Sequence, residues 1–192
     1  MIIPQSNTLT TRHLNRVFDK TVATYKYYWF LGILDLYVKQ GKTRMNVWDI
    51  MILMVTNAWY PVNYFRLSFG KSESLYETIL TLQEENNIPI NIGVRELMDL
   101  LQTLIQRKDV RKKLNFLQLN VPFRFLRPWI DTSDDRDMVK RSQAFENGCL
   151  YRLKKENGTL WVDLNMANLF TRELRYTKFV RLLGIDKLLA SS

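Results

Sequence analysis

Asp131, Asp134, Asp135 and Asp137 form the only acidic cluster in the sequence that suggests a metal. Closely spaced carboxylates are what a calcium loop uses. An EF-hand alignment from Asp131, however, puts Arg136 at the sixth place, where the turn needs Gly, and Ser142 at the twelfth, where a bidentate Glu closes the shell. Acids in the first turn of a helix are stabilised by its exposed amides and dipole, so the cluster reads as a helix cap. His13 is the only histidine and stands beside Arg12 and Arg16, with no nucleophile or orienting partner identifiable near it, so a surface position is expected. Cys149, at the start of a predicted strand, reads as a small buried hydrophobe and not as a nucleophile. One His and one Cys in 192 residues exclude a zinc finger, a His/Cys metal site and an intrachain disulfide. P-loop, Gly-x-Gly-x-x-Gly, Gly-x-Ser-x-Gly and His-Glu-x-x-His patterns are absent. The expectation is a non-enzyme with no catalytic residue, metal or cofactor, and the lone Cys fits a reducing, cytoplasmic setting.

The basic residues are more informative. The formal net charge is +9, which points to a polyanionic partner. Residues 1–44 carry seven basic and two acidic groups, residues 71–106 two and six, and residues 107–127 seven and one. Arg107, Lys108, Arg111, Lys112 and Lys113, joined by Arg124 and Arg127, are therefore the candidate phosphate contacts, which would hold nucleic acid by charge without reading bases. The alternative is a solvated helix terminus whose cations offset the acidic stretch before it. The aromatic runs Tyr25 to Phe30 and Trp59 to Phe69 could stack on single strands, or simply pack a core, which their spacing among Leu, Ile and Met favours. Arg172, Arg175, Lys178 and Arg181 step by three residues and so sweep around a helix instead of forming one face.

The elements that must position these groups are mostly helical. Helices are expected from Thr10 to Asp19, from Val22 to Gln40, and from Val47 towards Tyr60 with a break or kink at Pro61. Further helices are expected after Ser74, from Val94 to Arg107, and, capped by Asp109, in one more short helix containing the basic cluster. The helix ending before Gly41 is apolar on nearly every side and should be central to a core. The segment Val121 to Trp129 alternates apolar and basic residues between Pro122 and Pro128 and is expected to be extended. A helix over Asp134 to Phe145 should precede a hairpin turning at Asn157-Gly158. Pairing outward from that turn sets Leu153 opposite Val162 and Tyr151 opposite Leu164 on one face. Arg152 then meets Asp163, and Lys154 meets Trp161, on the other. The fold class is thus mainly α: a compact multi-helix domain over residues 1–165 with one β-hairpin at about 149–165, then a final basic helix over 166–192. Neither a signal peptide nor a membrane-spanning segment is expected.

Three stretches carry a family resemblance: Ala23-Thr24-Tyr25-Lys26-Tyr27-Tyr28-Trp29-Phe30, Ala58-Trp59-Tyr60-Pro61-Val62-Asn63-Tyr64-Phe65-Arg66-Leu67-Ser68-Phe69-Gly70, and Val121-Pro122-Phe123-Arg124-Phe125-Leu126-Arg127-Pro128-Trp129-Ile130. Together they resemble the N-terminal region of a group of bacterial HNH endonuclease-domain proteins, over about residues 1–165. An HNH site needs histidines to activate water and hold a metal, and His13 alone cannot supply them. The resemblance therefore implies a non-catalytic DNA-binding or target-positioning domain without its nuclease module. The alternatives are a protein-interaction or scaffold module, docking a nuclease domain or a second copy of itself, and a truncated remnant of such an endonuclease.

Overall fold

A computed structural model of the protein describes residues 12–19, 25–66 and 74–167. Their order is α1 (Arg12–Asp19), α2 (Tyr25–Leu34), a π-helical turn (Asp35–Lys39), β1 (Arg44–Asn46), α3 (Val47–Asn63), α4 (Ser74–Glu85), α5 (Val94–Leu104), α6 (Lys108–Leu126), α7 (Asp135–Ser142), a short 3₁₀ turn (Glu146–Gly148), β2 (Tyr151–Glu156) and β3 (Thr159–Leu164). The class is mainly α with a small antiparallel sheet towards the C-terminal side, as expected. The predicted helix over residues 166–192 lies almost entirely outside the described residues. No described helix is long and apolar enough to cross a membrane. Two compact units can be distinguished, one from residues 12–19, 34–46 and 123–167, the other from residues 25–33, 47–66 and 74–122.

The second unit is helical. Trp29 and Ile33 of α2, Ile50, Met51, Met54 and Trp59 of α3, and Ile79 and Leu82 of α4 are fully buried in it. Trp59 Nε1 and Tyr60 Oη donate to the Ile90 and Ile92 carbonyls, at 3.2 and 2.8 Å, and tie the loop before α5 to α3. Pro61 does not break α3 as expected: the helix runs on to Asn63, with Val62 and Asn63 buried, so packing holds the last turn despite the one bond that the proline forgoes. Tyr64 N still reaches Tyr60 O at 2.9 Å beyond it.

A larger correction concerns residues 121–126, which are helical and not extended. They continue α6, with Pro122 inside it. Val110, Leu114, Leu117, Val121 and Phe125 recur at three- and four-residue steps, and all are buried. A proline inside a helix costs about 3 kcal/mol, and burying each such side chain returns about 1.5–3 kcal/mol, so the apolar stripe prevails.

The first unit holds the sheet, in the order β1-β3-β2, all antiparallel. Tyr151↔Leu164, Arg152↔Asp163, Leu153↔Val162 and Lys154↔Trp161 pair in the register read from the sequence. Asn157 and Gly158 both take positive φ, 49° and 75°, as a two-residue hairpin turn with this twist requires. The third strand, Arg44–Asn46, pairs with Trp161–Asp163 and has no counterpart in the sequence reading. It follows a tight helix end: Gly41, at φ 68°, donates to Tyr37 O at 3.0 Å while Lys42 N reaches Leu36 O at 3.1 Å. Helix α7 seals the free edge of β2. Ser142 Oγ accepts from Leu153 N at 3.1 Å, and Gln143 Nε2 donates to Leu153 O at 2.6 Å.

Candidate nucleic-acid interface

The basic segment begins in the turn between α5 and α6. Arg107 forks onto Asp109, with Nη2–Oδ2 at 2.5 Å and Nε–Oδ1 at 3.2 Å, and its Nη1 donates to Asn86 Oδ1 at 2.8 Å. The hydrogen bonding between Arg107 and Asp109 raises the Arg107 pKa and holds the Asp109 carboxyl below its ordinary value. Arg111 donates through Nε to the Ile105 carbonyl at 2.7 Å, at the C-terminal end of α5, and its guanidinium lies 5.4 Å from the Trp48 ring centroid. Lys113 reaches Glu85 at 2.7 Å. These three cations are therefore engaged within the protein.

Lys108 and Lys112 are different. Both are exposed, and neither side chain has an ion pair or hydrogen bond among the described residues. At 3.6 residues per turn they share about 80° of arc on α6 with Phe116 and Leu119, opposite the buried Val110, Leu114, Leu117 and Val121. Phe116 and Leu119 are 50% and 51% exposed and, unlike exposed Tyr64 and Phe65, continue a line of exposed cations. The outward stripe of α6 is thus cationic in its first two turns and apolar in the next two. Sequence reasoning missed Phe116 and Leu119, because their position off the buried stripe is visible only once the helix is carried through Pro122.

The remaining two candidates do not join this cluster within one unit. Arg124, half-buried in the last turn of α6, and exposed Arg127 both belong to the sheet-bearing unit. There the outer sheet face gathers charge differently. Asp163, 8% exposed, has Arg152 Nε at 3.2 Å, Arg44 Nε at 3.7 Å and Lys154 Nζ at 4.0 Å. Arg44 also pairs with Glu156 and lies 4.8 Å from the Trp161 centroid. The ion pair read from the sequence is therefore present, and Arg44 of the unforeseen strand makes the cation–π contact read there for Lys154.

The other chemistry-bearing residues have structural positions. Asp134 Oδ1 accepts from Asp137 N at 2.7 Å, the cap expected of it, and among the described residues no three His, Cys, Asp or Glu side chains gather to hold a metal. His13 is not a bare surface residue. Its Nδ1 donates to the Pro128 carbonyl at 2.6 Å, and its ring stacks on Trp129 at 5.8 Å. Cys149 is fully buried, its Sγ 3.3 Å from Tyr151 O, and burial pushes its thiol up to about 12. Of the aromatic runs, Tyr25, Trp29, Phe30 and Trp59 are core, whereas Tyr64 and Phe65 are exposed. Compared with protein-family models, curated proteins and solved structures, the chain matches none.

Proposed function

We propose that the chain is a non-catalytic, cytoplasmic DNA-binding or target-positioning module, of the kind that resemblance to the front region of an HNH endonuclease implies. The observation that carries this reading is the pair Lys108 and Lys112, one turn apart on the exposed stripe of α6 with no partner among the described residues. The cations around them strengthen the field. Arg107, Lys108, Arg111, Lys112 and Lys113 outnumber the two carboxylates that touch them, Asp109 and Glu85, and leave a surplus of three positive charges. A surplus of this kind attracts phosphate by charge and positions DNA without reading its sequence. Arg124 and Arg127 belong to the other unit and are candidate contacts of that unit by itself.

The test is a DNA titration at 50 and 200 mM salt. Binding at low salt that weakens steeply at high salt, and that falls at least tenfold in Lys108→Glu/Lys112→Glu, supports the reading. Absence of binding at low salt, or affinity that survives the double reversal, contradicts it. A second reading, a scaffold that docks a nuclease domain or another copy of itself, draws on exposed Phe116 and Leu119. It predicts a solution mass above 22.9 kDa.

A further inference from the structure

Resting on the DNA-binding reading, the stripe on α6 carries a narrower claim: we infer that Phe116 is a base-stacking platform and that the occupant of this surface is single-stranded nucleic acid. Lys108, Lys112, Phe116 and Leu119 follow one another along α6 at steps of four, four and three residues, about 6 Å of helix rise per four-residue step. Side chains at these spacings meet one elongated partner together.

That partner must satisfy both halves of the stripe. The first half offers two cations free of partners among the described residues and complements phosphate. The second offers a half-exposed aromatic ring and a half-exposed Leu, against which a phosphate would lose hydration with no bond to replace it. A duplex keeps its bases stacked inside and presents phosphates along its flanks, so it matches only the first half. A single strand presents phosphate and unstacked base faces side by side, and proteins that bind it combine a basic track with aromatic side chains for successive bases. Asn115, exposed between Lys112 and Phe116, adds an amide without charge that can bond a sugar or base edge. The Asn120 amide is engaged instead, donating to Phe116 O at 2.7 Å. Nothing in this arrangement selects a base, so the expected preference is for strandedness over sequence.

The experiment compares a fluorescein-labelled 15-nucleotide single strand with the duplex of the same sequence, by anisotropy at 50 mM salt, on the full chain. Wild type is expected to bind the single strand more tightly than the duplex. Phe116→Ala should weaken single-strand binding about tenfold and leave duplex binding unchanged, Phe116→Leu should behave like Ala, and Phe116→Tyr, which keeps the ring, should stay within about twofold of wild type. Because Phe116 is on the surface, these variants are not expected to change the melting temperature. Equal affinity for both substrates, or an unchanged Phe116→Ala, overturns the stacking claim and leaves salt-dependent DNA binding standing. Failure to bind either substrate overturns both. A dimeric mass that Phe116→Ala dissolves, without nucleic-acid affinity, overturns both and assigns the stripe to a protein partner.

Discussion

Cys149 gives the sharpest physical prediction outside the interface, because it is the protein's only thiol and its signal cannot be confused with another's. It is fully buried behind the start of β2, with its pKa pushed by burial from 9.0 to about 12. At pH 8 the folded thiol is then ionised in about one molecule in ten thousand, about a thousandfold less than an unburied one. Only thiolate attacks a disulfide reagent, so Ellman's reagent should react with native protein at least about a thousandfold more slowly than with protein in 6 M urea, releasing one equivalent in both cases. The same burial sets a pH dependence. Above about pH 9 the unfolded chain releases the thiol proton while the folded chain keeps it, so stability declines by about 1.4 kcal/mol per pH unit up to about 12. Below about pH 9 this contribution is fully present. Cys149→Ala should flatten that part of the profile. Prompt stoichiometric labelling of native protein, or a Cys149→Ala profile that still falls with the wild-type slope, would refute the assignment of Cys149 as a structural hydrophobe.

Three further outcomes test the fold that carries the site. Leu117→Ala should cost about 2–5 kcal/mol in urea melts while Leu119→Ala costs almost nothing, since α6 places them on opposite faces; an extended strand would place both on one face and make the two losses alike. Asp134→Ala removes the acceptor for Asp137 N and should cost about 1 kcal/mol, whereas Asp135→Ala, in the same acidic run, should cost less than half of that. Asp163→Asn leaves Arg44, Arg152 and Lys154 facing one another and should destabilise by about 1–3 kcal/mol, more than Arg152→Ala, which leaves Asp163 two other cations; equal losses would show that the three cations do not share this carboxylate.

How far the sequence could be read depended on whether local chemistry decided each element. The hairpin register was legible because Asn157-Gly158 admits one kind of turn, and period-two alternation then fixes every pair. The end of the π-helical turn was legible for a similar reason, since Gly41 takes a conformation that few other residues adopt cheaply. The strand Arg44–Asn46 was not, because three residues pairing with Trp161–Asp163 leave no local pattern. At Pro122 the local rule misleads: the loss of one backbone bond is fixed by the residue itself, but the burial opposing it depends on what the helix meets. The basic cluster was legible as a set of residues and not as a site. Glu85, Asn86 and Trp48, which engage three of its members, come from other elements, and which two lysines remain exposed and unengaged is decided only by that packing.

The central claim is that Lys108 and Lys112 hold phosphate while Arg107, Arg111 and Lys113 are engaged within the protein. Its most direct test is the slope of log affinity against log salt for a single-stranded oligonucleotide, with wild type beside Lys108→Gln/Lys112→Gln. Each phosphate contact on a single strand contributes about 0.7 to that slope, so the double variant should lose about 1.4. An equal loss from Arg107→Gln/Lys113→Gln with none from the lysine pair, or identical slopes for all three proteins, would contradict the claim.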